Sequence, residues 1–437
     1  MEIKNTLEIL KNDLFALGQK FFYVGLFLLP TIQPLSFASF LIALIISLTI
    51  NKQNYIHDKW NLFLLFSSGF IIFNTLNFLL FNTKINNPDD FLILIFNALK
   101  WITLFISFTS FQCYLKTNLQ RINFAKYFLI GSIPIFISCF LQYWFKIYGP
   151  FEFINGFIVW YNKPLLGPAA GVSGLFSNQN YTGFWLSIIW PFSIYFLSKY
   201  KFLDIKKILY IFLSGFTIYL IFMTTSRASI LGLIISLPLI FSIKLLIKLV
   251  FILVFFYLLI SNIPEALLIQ NDIYIPKTIQ ILIGKFMNFN ISSIQNITRI
   301  KIWGNTLGFI SSKPFLGYGA GLFPIIYLTL SDYRAQHAHN IILQIAFDYG
   351  LLLSLGLSTF VFILLYKTWQ KIFTYSSNLN SNEKPFEIYW FASTLVAVVS
   401  QIYDVTYFDG RVSMLIWLLL SGLKSIIDDD LQNLSSK

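Results

Sequence analysis

The chain has 437 residues and only three histidines, and two of those, His337 and His339, fall in one short polar stretch. Imidazole is the one side chain whose ordinary pKa lets it take up and release a proton near neutral pH. His339-Asn340 is followed, after nine residues, by Gly350, at the point where a long polar segment runs into an apolar one. Two isolated arginines, Arg227 and Arg299, flank other apolar segments. A guanidinium fork binds phosphate oxygens bidentately. A histidine with arginines at a membrane surface therefore points to chemistry on a phosphate-bearing lipid.

Each of these residues also has a plainer reading. Arg227 ends the run Thr224-Thr225-Ser226-Arg227. It is either a phosphate ligand or an interfacial arginine that snorkels to water, since an arginine at bilayer centre costs roughly 2.5–3.5 kcal/mol on insertion scales. Arg299 and Trp303, four apart on a helix face, form either a cation–π pair or a second phosphate contact. His337 and His339 would point to nearly opposite sides of a helix, so one at most faces a given site. A zinc site needs three or four ligands. His57 is predicted at the other surface and Cys113 and Cys139 are not near, so no metal is expected. Asp348 is placed near the face opposite His339. Asp404, Asp409 and Arg411 read as a small polar cap with Asp409 and Arg411 paired. The run Ser173-Gly174-Leu175-Phe176-Ser177-Asn178-Gln179-Asn180 lines a sugar site, because neutral amides bond hydroxyls well, or is a helix entry with Asn180 as its cap.

These residues must be held by a membrane bundle. The sequence is 57% hydrophobic and 11% charged, against about 25% charged residues in soluble domains. Its 49 Phe and 23 Tyr suit a lipid-facing surface and interfacial belts. The net charge of +12 does not indicate nucleic acid, because the basic residues sit in short clusters between apolar spans. Two cysteines support no disulfide framework. Apolar runs at 14–31, 34–50, 60–81, 91–114, 126–147, 181–198, 207–224, 228–243, 246–263, 341–366, 386–405 and 411–427 predict about twelve spans. Lys100 is the main charge inside one of them. With the N-terminus cytoplasmic, most of the 31 lysines and arginines fall on the inner side, which places both termini in the cytoplasm. Two outer segments are long, 148–180 and 264–340. In the second, Ile294, Ile297, Ile300, Trp303, Leu307 and Ile310 recur at helical spacing and predict an amphipathic surface helix. Lys313-Pro314 ends it, and Gly317, Gly319 and Gly321 predict a flexible turn. The fold expected is an all-α polytopic bundle forming a single domain over 1–437.

The order of these features resembles the bacterial O-antigen ligase and polymerase superfamily. Gly174-Leu175-Phe176-Ser177-Asn178-Gln179-Asn180 precedes a span. Thr225-Ser226-Arg227 follows, with Leu231 four residues later. Arg299 with Trp303, Pro314 with Gly317-Tyr318-Gly319-Ala320-Gly321 and Phe323, and His337-Ala338-His339-Asn340 complete it over 165–425. The spacing of His339-Asn340 to Gly350 is that of ligases, while Leu353 stands where ligases often carry a small or polar residue. The resemblance implies an inner-membrane glycosyltransferase of lipopolysaccharide or other envelope polysaccharide biosynthesis, of the inverting kind, without metal or cofactor, acting on the periplasmic side. Its donor would be a glycan on undecaprenyl diphosphate, within membrane lipid. A ligase would use a lipid A–core acceptor, and a polymerase another lipid-linked repeat unit. His339 would be the general base, and Arg227 and Arg299 would stabilise the departing diphosphate. Asn180, Ser226, Trp303, His337 and Asn340 would contact substrate. A lipid-linked sugar transporter is a further alternative, but no inverted repeat is visible.

Overall fold

The structure is a computed structural model that describes residues 2–50, 57–81, 88–167, 170–201, 204–248, 251, 298–331, 334–377 and 385–429. In chain order its helices are α1 (Glu2–Leu28), α2 (Gln33–Ile50), α3 (Lys59–Phe81), α4 (Pro88–Phe111), α5 (Asn118–Gly131), α6 (Ile133–Trp144), α7 (Gln179–Lys199), α8 (Ile205–Met223) and α9 (Arg227–Ile240). After these come α10 (Thr298–Ser312), α11 (Phe323–Leu330), α12 (Ile341–Tyr349), α13 (Leu351–Ser377), α14 (Phe386–Tyr403) and α15 (Gly410–Asp428). Among the described residues the only strands are a short antiparallel hairpin, β1 (Phe151–Phe153) and β2 (Ile158–Trp160), and 8 helical stretches are long and apolar enough to cross a bilayer. The chain is an all-α polytopic membrane bundle.

Long side chains cover the outside and small ones let the interior helices approach. Phe66, Phe96 and Phe212 are 65–70% exposed on α3, α4 and α8, as lipid-facing residues should be. α14 and α15 are buried on nearly every face. Packing in lipid favours small residues at helix contacts. A Cβ on Gly422 would lie 2.1 Å from the Trp390 ring, and one on Gly232 would lie 2.8 Å from Val396. At one end of the bundle, buried Arg121 pairs with Glu387 (3.0 Å) and Asp429 (2.8 Å), and Lys424 pairs with Asp58 (2.7 Å) and Asp428. These contacts tie together the ends of α5, α14 and α15 and the start of α3. At the other end the Trp160 indole of the hairpin donates to Thr31 O (3.0 Å), between α1 and α2.

Several expected boundaries move. The run at 126–147 is two helices, α5 and α6, broken at Ser132 with Pro134 in the first turn of α6. The span expected at 341–366 is α12 and α13, meeting at Gly350. Gly350 has φ +92, and a Cβ there would sit 2.1 Å from Phe315 O. The positive φ turns the chain out of α12, and the close approach leaves room for no side chain at that turn. Tyr318 N donates to Phe347 O (2.7 Å), Gly319 N to Asp348 O (3.0 Å) and Leu351 N to Pro314 O (2.7 Å). The glycine turn at 317–321 is thus docked on the junction, not free as the glycines alone suggest. α10 forms as a helix, but its inward face is Ile302, Thr306 and Ile310, whereas Ile300 and Leu307 are exposed. Ile294, Ile297 and most of the expected span 246–263 lie outside the described residues. α10, α11, α12 and the loop before α12 share a second small core of Ile302, Ile310, Phe323, Tyr327, Ala335, Ala338, Ala346 and Phe347.

Candidate active site

The histidine loop is pinned from its own downstream helix. Asn340 is the N-cap of α12, and its side-chain oxygen accepts from Ile342 N (2.9 Å) and Leu343 N (3.1 Å). Gln344 accepts from Ala338 N (2.9 Å) and donates to buried Asp348 (2.9 Å). Asp348 therefore acts back on the peptide between the two histidines, through Gln344. His339 takes φ +52, a left-handed conformation that histidine adopts more readily than most residues but that still stores strain. Its amide donates to His337 Nδ1 at 3.2 Å.

Asp404 follows the last residue of α14 and is 5% exposed. His339 Nδ1 lies 3.0 Å from one carboxylate oxygen, and Asn180 Nδ2 donates to the other at 2.6 Å. Arg299 Nη2 is 4.0 Å from that second oxygen, while its Nη1 donates to Tyr403 O at 2.8 Å. Burial alone would raise the Asp404 carboxyl. The hydrogen bond from His339, the two neighbouring imidazoles whenever they carry a second proton, and the Arg299 guanidinium hold it below its ordinary value. An ionised carboxylate only accepts, so the proton between the pair belongs on His339 Nδ1. Nε2 is then left with its lone pair free, in the arrangement of a base held by an orienting acid.

His337 has a different environment. Its ring is stacked on Phe408 at 5.5 Å and lies 4.2 Å from the His339 ring. Burial, then the neighbouring His339 and Arg299, push its pKa down to about 4, against the opposing pull of Asp404. It is neutral at neutral pH and accepts at Nδ1. Because its folded pKa is depressed, its stabilising contribution is present above the ordinary histidine value and is lost as pH falls toward 4. Phe408 itself is held by Lys100, whose ammonium donates to Tyr407 O (2.6 Å) and Phe408 O (3.2 Å). The charge inside α4 thus serves the turn Thr406–Phe408.

The expected site residues divide into three groups. His339, Arg299, Asn180 and His337 are brought together around Asp404. Asn180 is not the helix cap that one sequence reading allows: Asn178 caps α7, accepting from Asn180 N, which frees the Asn180 amide for Asp404. Arg227 begins α9 and is exposed, outside the contacts around Asp404. It belongs to the same end, because Gln179 Nε2 donates to Thr225 Oγ1 (3.1 Å) and Thr225 takes φ +55. The remaining three, Ser226, Asn340 and Trp303, have other surroundings. Ser226 is 2% exposed, and its hydroxyl accepts from Ser229 Oγ (2.8 Å), which sets it in the packing between helices. The Asn340 oxygen is committed to the cap. Trp303 is half-buried one turn from Arg299, and its indole N–H is buried with no partner among the described residues.

Asp404 was read from the sequence only as part of a polar cap, because nothing local links it to a histidine 65 positions earlier. It also alters the count of metal ligands: His337, His339 and Asp404 offer three ligand atoms within 4.8 Å of one another. The two imidazoles and one carboxylate are suitable zinc donors. The carboxylate, however, already accepts from His339 and Asn180, with the Arg299 guanidinium beside it to offset its charge. Among known families, residues 211–358 match the one described as O-antigen ligase. The match includes Arg227, Arg299, Trp303, both histidines and Gly350, and leaves Asn180 and Asp404 outside it. Comparison with curated proteins gives no match.

Proposed function

Residues 211–358 place the chain in the O-antigen ligase and polymerase superfamily, and on that premise we propose that it transfers a glycan from undecaprenyl diphosphate to a lipid A–core acceptor. The observation that carries this reading is the Asp404–His339 pair with Arg299 beside it, in a membrane bundle. The acceptor hydroxyl gives its proton to His339 Nε2 as its oxygen attacks the anomeric carbon. The bond from that carbon to the phosphate oxygen breaks, and its electron pair leaves with the lipid diphosphate. Arg299 lies where that growing charge can be stabilised in a partly dehydrated site, and Arg227, exposed at the start of α9 on the same end of the bundle, is the second arginine offered to the diphosphate. Asn180 keeps Asp404 aimed at His339. Leu353 stands where ligases often carry a small or polar residue, which weakens the ligase reading against a second one, a polymerase that joins lipid-linked repeat units. The deciding experiment offers purified protein a lipid-linked glycan with either core lipid or a second repeat unit. Transfer to core lipid supports the ligase and lengthened lipid-linked chains the polymerase. Transfer to neither sinks both.

The hairpin end is assigned to the periplasm, and both termini to the cytoplasm. A cytoplasm-active reporter fused after Lys371 should give signal, and one inserted at Asn155 in the hairpin should not. The reverse pattern would put the site on the wrong side of the membrane. The arginines carry a separate expectation. Arg299→Ala should reduce transfer by about 10²-fold or more, the size found when one stabilising donor is removed. Arg227→Ala should also reduce it, with both proteins still inserting. Lysine at either position should restore only part, since it keeps the charge but loses the fork. Full activity in either alanine variant removes that arginine from the site.

A further inference from the structure

A cavity of about 380 Å³ lies beside the Asp404 cluster at the hairpin end. Gln33 lines it from the start of α2, Phe157 and Tyr161 from the hairpin region, Ser177 and Tyr181 from the entry to α7, and Phe408 from the turn before α15. Its volume falls in the range of small-molecule sites. Two chain segments join it directly to the catalytic cluster. Asn180 reaches Asp404 while the next residue, Tyr181, lines the cavity, and Phe408 is both a cavity wall and the ring on which His337 stacks.

The chemistry of the lining selects its occupant. Arg411 and Asp409 also border the cavity, but they are bound to each other, Nη2 to Oδ2 at 2.6 Å and Nε to Oδ1 at 3.0 Å, and both are nearly buried. The Arg411 guanidinium further lies 4.1 Å over the Phe176 ring. The pair is neutral overall and has no fork left for a phosphate, so the cavity is a poor place for the diphosphate. Aromatic rings beside an amide, a hydroxyl and exposed hairpin backbone are the groups that hold a sugar: rings cover its C–H faces and the polar groups bond its hydroxyls. We propose that this cavity binds an uncharged saccharide unit of the acceptor glycan and so presents its hydroxyl to His339. The inference rests on the transferase reading. It adds the acceptor's binding place, its charge class and a role for the β-hairpin.

Val159 borders the cavity from β2, where it pairs with Glu152. In full-length protein in lipid nanodiscs, Val159→Trp should raise the KM for the acceptor on the order of tenfold, equivalent to losing one or two hydrogen bonds, and leave the KM for the lipid-linked donor as in the unsubstituted protein. An unchanged acceptor KM, or equal changes for donor and acceptor, overturns the proposal. A second measurement does not depend on turnover. Val159→Cys should react with a maleimide more slowly when the delipidated core oligosaccharide or the delipidated repeat unit is present, and at an unaltered rate with undecaprenyl diphosphate. Native Cys139 is fully buried, and the reaction of the unsubstituted protein gives the background. Absent protection by either saccharide, or equal protection by the lipid diphosphate, sinks the cavity as an acceptor site. If the unsubstituted protein transfers to neither acceptor but the saccharide still protects, the transferase reading fails and the saccharide site stands.

Discussion

His339→Ala is expected to remove transfer almost completely, on the order of 10²- to 10⁴-fold in kcat, the span typical of a lost general base. Binding of undecaprenyl diphosphate should persist, because the arginines are untouched. The expectation comes from Asp404 accepting from Nδ1–H, which keeps the proton on Nδ1 and leaves Nε2 to accept from the substrate. His337→Ala is the discriminating control. His337 is already neutral, with its pKa pushed down to about 4, and its Nδ1 is occupied by the His339 amide. It positions the loop and the Phe408 ring, so its loss should cost much less than that of His339. The measurement is single-turnover transfer for both variants beside donor binding. A dead His337→Ala with an active His339→Ala would mean that the other imidazole is the base. Two fully active variants would end the general-base mechanism.

Asp404→Asn should be the second most damaging change, about 10²-fold or more in kcat, although the protein keeps its shape. The amide can still accept from His339 through its oxygen, but it brings no charge to offset the imidazolium formed when the base takes a proton. It also presents an N–H₂ group to Asn180, which now donates there, and to the Arg299 guanidinium 4.0 Å away. Charge removal disfavours the protonated ring, so the acid limb of the rate profile should move to lower pH. A merely structural residue would lower the rate without moving that limb. Stability should respond with a definite sign. The Asp404 carboxyl is held below its ordinary value, so its stabilising contribution is present above the unfolded carboxylate range and fades as pH falls through the lowered value. The stability gap between the parent and Asp404→Asn should therefore narrow in acid. A parallel loss of stability at every pH, with an unmoved rate profile, would reduce Asp404 to packing.

How much was legible varies residue by residue. His339 was legible because so few histidines are present and one is followed at the right distance by a glycine. Arg299 was visible as a charge on a helix, though which way it turned was not. The apolar stripe of α10 was read a fraction of a turn off, because its protein-facing residues include Thr306 while Ile300 and Leu307 face outward. Composition cannot separate a face turned to lipid from one turned to protein when both are apolar. Asn180 was assigned both to a cap and to a sugar site, and which amide capped α7 depended on whether Asn178 could reach the helix amides first. Ser226 looked available beside Arg227, and only the approach of α9 to α7 at Gly183 buried it.

By itself the sequence determined that this chain is a membrane helix bundle, since apolar runs of bilayer length with basic clusters between them have few other solutions. It also determined which side chains could move a proton or hold a phosphate, because that depends on residue type alone. Tertiary structure decided their partners. Asp404 meets His339 across 65 positions and Asn180 across 224, through single hydrogen bonds between helix ends. A bond of that kind leaves no period in either segment, and the same acid could equally have closed a local cap, as Asp409 does for α15. The break at Gly350 was decided in the same way: a glycine is compatible with a continuous helix, and only the docking of the 314–319 segment, with Leu351 N donating to Pro314 O, marks it as a turn that no side chain could occupy.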